Sequence, residues 1–222
     1  LTSLFDDYLL SQPDKPRKPG VYYVTDLTKG CLRQAYFDIV EPREHPIETR
    51  RIFEAGRAIE RFWVEKVLPT RFEVLVTQLP ARYTCEAFSI HGRVDALCQH
   101  SDGSLVVHEC KSAKSLFYTN EPKPEHVQQI QFYLNTLNVE FGSIDYLDKG
   151  VLLQGSDRNG GGQVDRCFTV QRNPVIFMTF ITRCREISQF VNARTAPDAA
   201  KPDWFCNYCL HKKGCSEGGN EP

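Results

Sequence analysis

"HGRVDALCQHSDGSLVVHECKS" (residues 91–112) is the stretch on which the reading of this chain turns. Two runs of strand-forming residues flank Ser101-Asp102-Gly103, which fits a three-residue hairpin loop: a type I turn closed by a glycine in the left-handed region. That loop sets His100 opposite Ser104. Counting back along both strands then sets Asp95 opposite Glu109, on one face, with Cβ atoms about 5 Å apart. Lys111, two residues beyond Glu109, projects from the same face. A two-residue loop would bring Cys110 opposite Asp95 instead, so the constellation stands or falls with the turn.

Two carboxylates this close repel unless a proton or a cation sits between them. Oxygen donors of this kind suit Mg²⁺ or Mn²⁺. A lysine beside such an ion can orient and help deprotonate a water, or steady charge on a phosphoryl oxygen. The plain alternative is an exposed cross-strand salt bridge, which does little. Other residues argue against it. In "EAGRAIERFW" (54–63), Glu60 lies at the rim of a helical apolar stripe, with Gly56 one turn earlier leaving open space. In "HVQQIQFYL" (126–134), Gln129 and Tyr133 share a helix face and flank the buried stripe, within reach of a substrate phosphate.

Around these motifs the periodicity predicts helices over 26–39 (N-cap Thr25), 49–68 (Ile52, Gly56, Ile59, Trp63 and Val67 in register), 123–139, and 174–194 behind Pro174. It predicts extended segments from 72 to 112 and two later strands, "GVLLQ" (150–154) and "DRCFTVQ" (165–171), separated by the glycine loop "SDRNGGGQ" (156–163). Residues 1–20 read as a loosely docked arm. The class is α/β (α+β), a mixed sheet flanked by helices.

Composition narrows the function classes. With 222 residues, 41% of them hydrophobic, the chain can bury one core, with or without an appendage. A net charge of −1 does not advertise nucleic-acid binding, though a sum hides a local basic cleft. Apolar runs fall short of the ~20 residues of a membrane span, and residues 1–20 do not read as a signal peptide. The nine cysteines are an odd number, and Cys85, Cys98, Cys110, Cys167 and Cys184 fall in apolar stretches. They read as reduced core thiols in a cytoplasmic protein.

The tail "WFCNYCLHKKGC" (204–215) is different. It offers three thiols, Cys206, Cys209 and Cys215, where a tetrahedral metal wants four ligands. His211 would complete a zinc knuckle, with awkward reach, unless it sits in an exposed cation-rich turn. Cys31, between Lys29 and Arg33, stands in a setting that favours thiolate.

In order, Gly56-xxx-Glu60, Gly92-Arg-Val-Asp95, Glu109-Cys-Lys111 and Gln129-xxx-Tyr133 resemble the RecB-like branch of the PD-(D/E)xK nuclease superfamily. The resemblance implies a restriction-endonuclease-like core over about 48–196 within a single domain, 1–222. It implies Asp95, Glu109, Glu60 and the Cys110 carbonyl as metal ligands, with Lys111, Gln129 and Tyr133 completing the catalytic group. One cysteine before these motifs and three after them (Cys-x174-Cys-x2-Cys-x5-Cys) matches members that hold a 4Fe–4S cluster. Cys31, Cys206, Cys209 and Cys215 would then clasp segments 21–40 and 197–216. Those members usually place a histidine where this chain has Glu60, which puts their manganese preference in doubt.

The likeness is greatest to the CRISPR-associated, Cas-four type exonucleases; helicase-linked repair relatives share the cysteine pattern. It implies single-stranded DNA or overhangs as substrate and trimming of new spacers beside the CRISPR integrase, with Arg33, Tyr36, Trp204, Lys212 and Lys213 guiding the strand. It leaves oligomeric state open. The rival reading is a DNA-binding or scaffold subunit of slight activity.

Overall fold

The fold comes from a computed structural model, which describes residues 3–12, 18, 20–154, 163–200 and 204–215. The predicted hairpin forms as the turn rule requires. The His100 and Ser104 backbones pair at 2.9 Å, and Gly103 takes φ +86°, the left-handed value that excuses a glycine there. Strands β3 (Ser89–Gln99) and β4 (Leu105–Ala113) therefore run in the predicted register, Gln99 opposite Leu105 through Ala96 opposite His108.

Beyond Ala96 and His108 the two strands part. The reason lies in what else pairs with β3. Its far edge is covered along its length by antiparallel β2 (Glu73–Thr84), from Glu73↔Gln99 to Thr84↔Ser89. Its near edge is shared by two strands: β1 (Val21–Tyr23) runs parallel along Ser89–His91, and β4 takes Ala96–Gln99. Between them, residues 92–95 have no strand neighbour on that side. The sheet continues from β4 to parallel β5 (Phe141–Asp148) and antiparallel β6 (Asp165–Gln171), giving a mixed sheet of six strands among the described residues.

Helices cover both faces. On one, α5 (Pro124–Leu137) and α7 (Pro174–Ala193) meet β3–β5 in a core of Ile90, Val94, Val107, Ile130, Phe132, Tyr133, Ile144 and Phe180. On the other, the end of α4 (Ile47–Phe62), which runs on through a π-helical turn at Trp63–Val67, sets Trp63, Val64 and Leu68 against Ala96, Cys98, Cys110 and Leu147. No helix among the described residues is long and apolar enough to cross a membrane.

Several expectations need correction. The helix expected over 26–39 is two, α2 (Val24–Leu27) and α3 (Leu32–Val40), and Thr25 caps neither. Gly30 lies at the break against the Phe205 ring, and the Cys31 sulfur caps α3 by accepting the Gln34 N–H. Part of the arm is a docked helix, α1 (Leu4–Ser11): Leu9 is buried, and Asp6 accepts the Arg51 guanidinium at 2.8 Å. Ile52 faces solvent rather than a core. "GVLLQ" is not a strand but most of α6 (Lys149–Gln154); Asp148 Oδ1 accepts the Val151 N–H and turns the chain into a helix. β5 was not expected at all. Of the five supposed core thiols, Cys98, Cys110 and Cys184 are buried, Cys85 is half-buried and Cys167 is exposed. Most of the glycine loop, 156–162, lies outside the described residues.

Candidate functional site

Asp95 stands at the end of the unpaired stretch of β3, facing the fork where β4 leaves. The Cys110 amide, which has no β3 carbonyl to bond, donates instead to Asp95 Oδ2 at 2.8 Å. Cys110 thus enters the group through its N–H, a different atom from the carbonyl that the resemblance implies as a metal ligand. Glu109, on the α5 side of β4, has Oε1 held by Lys111 Nζ (2.6 Å) and Gln129 Nε2 (2.7 Å). Gln129 Oε1 accepts from Lys111 Nζ at 3.0 Å, and Gln129 Nε2 also reaches the Tyr133 hydroxyl at 2.9 Å. Gln129 and Tyr133, expected to flank the buried stripe, are themselves buried within this group. Gly92 makes this packing possible: a Cβ there would lie 2.5 Å from the Tyr133 ring and 2.9 Å from Val24.

The electrostatics are those of crowded anions. Burial, then Glu109, then Glu60 push the Asp95 pKa well above the usual carboxylate range, against the pull of Lys111 and the Cys110 amide. Burial likewise raises Glu109, with Lys111 opposing. Burial works against the Lys111 ammonium, yet Glu109 and Asp95 more than offset it and hold its pKa above the ordinary value. Tyr133 is raised by burial and by Glu109. One oxygen in this group, Glu109 Oε2, is buried without any hydrogen-bond partner.

Glu60 comes from the opposite face, one turn before the π-helical turn of α4. Gly56, one turn earlier, faces β4, where an added Cβ would meet only Ser112 Oγ, at an ordinary 3.8 Å. Glu60 Oε1 accepts from Gln78 Nε2 at 2.7 Å. Gln78, and a buried group of Asp145, His108 and Trp63 behind β4, escaped the sequence reading. Nothing in a strand sequence marks a glutamine that will reach a helix, and the signal of Asp145 was lost with β5.

The cysteine prediction concerns residues far apart in sequence. Cys31, Cys206, Cys209 and Cys215 line one small pocket, partly open to solvent, together with Arg33, Phe37, Phe205 and His211. Burial raises the Cys209 pKa; a His211 backbone hydrogen bond opposes this, while the charges of Asp38, Cys31 and Cys206 add to it. His211 is not in an exposed turn: it is buried, stacked on Phe37, with Nε2 at 2.9 Å from Asp38 Oδ1 and Nδ1 unpartnered. Tyr36 is buried too and offers no stacking surface. Among the described residues, no three His, Cys, Asp or Glu side chains stand close enough to hold a metal ion as placed, at either site.

No protein-family profile and no curated protein matches the chain. Solved structures do. SSO0001 superposes with TM-score 0.62 at 20% identity, over 96% of this chain and 92% of that one. The alkaline exonuclease LHK-Exo from Laribacter hongkongensis gives 0.50 at 13%, over 79% and 90%. A phage-related exonuclease from Haemophilus somnus 129PT gives 0.50 at 12%, over 73% and 79%. At these identities the likeness is one of fold: a mixed α/β sheet flanked by helices, as in solved exonucleases.

Proposed function

We propose that this chain is a metal-dependent DNA nuclease acting at the fork between β3 and β4. The observation that carries the reading is Glu109 Oε2, a buried oxygen without a partner in a group that already holds two further carboxylates, Asp95 and Glu60. Such an arrangement is costly unless a proton or a cation completes it, and three carboxylates drawn together suit a divalent cation. Asp95, Glu109 and Glu60, with the Cys110 carbonyl, are the residues that would hold Mg²⁺ or Mn²⁺. The ion would supply Lewis-acid stabilisation of the phosphoryl oxygens and a more acidic water.

The protein side follows from the hydrogen bonds. Lys111 enters as a charged donor, suited to steadying the phosphoryl charge and orienting a water; it serves as a base only once bound cations lower its pKa. Gln129 bridges Lys111, Glu109 and Tyr133 and so fixes the two charged groups relative to each other. The fold likeness to solved exonucleases supports exonucleolytic attack, on single-stranded DNA or overhangs. The pocket lined by four cysteines supports a 4Fe–4S cluster there, tying N- and C-terminal segments together. Together these favour prespacer trimming beside a CRISPR integrase.

The test is cleavage of end-labelled single-stranded and duplex DNA by purified protein with Mg²⁺ or Mn²⁺. We expect Asp95→Asn and Lys111→Ala to lose at least about a hundredfold in rate. Cleavage unchanged in both variants rejects the site, and DNA binding without cleavage by the wild type favours a scaffold subunit. Anaerobically purified protein should carry iron and acid-labile sulfide that fall in Cys31→Ala. One zinc, indifferent to that substitution, assigns the tail to a local knuckle.

A further inference from the structure

Among the described residues, non-glycine residues take positive φ at three places. Asn138 and Arg194 are helix C-caps, where the left-handed conformation is ordinary. Gln78, at φ +55°, is in the middle of strand β2. Its neighbours pair normally with β3, Thr77 with Ala96 and Leu79 with Val94. The residue across from Gln78 in that register is Asp95. The strained residue therefore sits beside the fork, and its side-chain amide reaches over to Glu60 Oε1 at 2.7 Å. A strand of ordinary backbone would alternate its side chains between the two faces; the left-handed step at Gln78 breaks that alternation at one residue. Glutamine gains nothing locally from this conformation, unlike asparagine or glycine, so the contact it makes is the reason to look for a role.

We infer that Gln78 is a positioning residue: its amide fixes the Glu60 carboxylate so that Glu60 joins Asp95 and Glu109 around one divalent cation. The inference rests on the nuclease reading and deepens it. The cluster draws carboxylates from α4, β3 and β4, three elements that need registering, and Gln78 links the first to the β2–β3 pair. It takes one Glu60 oxygen.

Two substitutions separate this role from a structural one. Gln78→Gly removes the amide and also relieves the positive φ. Gln78→Asn keeps a shorter amide on a residue that tolerates the left-handed region. Mn²⁺ binding is measured by calorimetry, and thermal melting without metal, for each variant. We expect Gln78→Gly to melt no lower than wild type yet bind Mn²⁺ about tenfold more weakly, the usual effect of losing a partner of a metal-ligating carboxylate. Cleavage by it should recover as Mn²⁺ is raised, and Gln78→Asn should fall between. In a Glu60→Gln background, Gln78→Gly should change Mn²⁺ affinity no further. If wild type binds Mn²⁺ and Gln78→Gly binds it equally well, or merely melts lower, the inference is overturned while the nuclease reading stands. If the wild type binds no Mn²⁺, both fall.

Discussion

Removing the Lys111 ammonium should cost stability as well as activity, and the two losses can be told apart. Lys111 Nζ lies 2.6 Å from Glu109 Oε1, and the two side chains are 22% and 2% exposed. Breaking a buried pair by deleting one partner costs about 3–5 kcal/mol, because the other charge stays buried and uncompensated. Lys111 is reached by solvent and Gln129 still donates to Glu109, so the low end applies, about 3 kcal/mol for Lys111→Ala. For a chain of this size that lowers the melting temperature by about 6–12 °C. The pH dependence has a definite sign. Burial already holds the Glu109 pKa above its reference value of 4.5, and losing Lys111 raises it further. A carboxylate raised in the folded state destabilises as pH climbs from its unfolded pKa through its folded one. The deficit should therefore be slight near the unfolded pKa and grow as pH rises from there towards the folded one. Adding Glu109→Gln to Lys111→Ala should restore most of the melting temperature while leaving the protein inactive. Denaturation of the four proteins of this cycle, in metal-free buffer at two pH values, measures the coupling. A Lys111→Ala protein that melts like wild type at neutral pH, or a double variant no more stable than the single one, refutes the account of a buried charge pair.

Three other outcomes follow from particular contacts. Gly92→Ala puts a Cβ 2.5 Å from the Tyr133 ring and 2.9 Å from Val24; it should cost about 1–3 kcal/mol by overpacking and slow cleavage by displacing Tyr133, both read by melting and a rate assay. Burial tends to raise Asp145, but bonds from His108, Ser143 and Trp63 prevail and hold its pKa below the usual carboxylate range. Its stabilisation is therefore present above the unfolded pKa and lost as pH falls through the folded one, and acid denaturation of Asp145→Ala should lack that limb. Asp38→Ala leaves the buried His211 Nε2 without its acceptor, at about 1–3 kcal/mol, and should speed tryptic cleavage after the exposed Lys212 and Lys213.

The hairpin was legible because a glycine-closed loop fixes register and parity then fixes faces. Asp95, Glu109 and Lys111 needed nothing more. Their fork was not legible, since it arises from β1 and β4 sharing one edge of β3, a pairing over long sequence separations. β5 was hidden because "FGSIDYLD" carries Gly, Ser and Asp where a central strand usually shows Val or Ile. Those polar residues are tolerated because Asp145 is bonded by His108, Trp63 and Ser143. "GVLLQ" misled for the opposite reason: a short apolar run has no decisive period, and a preceding aspartate cap made it a helix. Cys31 was legible as an outlier, but its place against the tail depends on α3 being a separate helix.

The comparison of the two buried carboxylate groups shows why one reads as a site and the other does not. Asp145 lies deep in the sheet, as Glu109 does. Both its oxygens are taken by protein donors at 2.5–3.1 Å, and its pKa falls. The carboxylate itself is fully satisfied, although His108 Nε2 on its far side has no partner, and a satisfied buried carboxylate helps to specify a fold. Asp95 and Glu109 have comparable burial and fewer donors; their pKa values rise, and Glu109 Oε2 has no partner. The same place holds the strained Gln78 and the strand edge left open between β1 and β4. Three departures from locally favourable structure meet at one point. Packing alone would have no reason to concentrate them, since each costs stability where it stands. A ligand that binds the folded state and completes the carboxylates would offset all three at once.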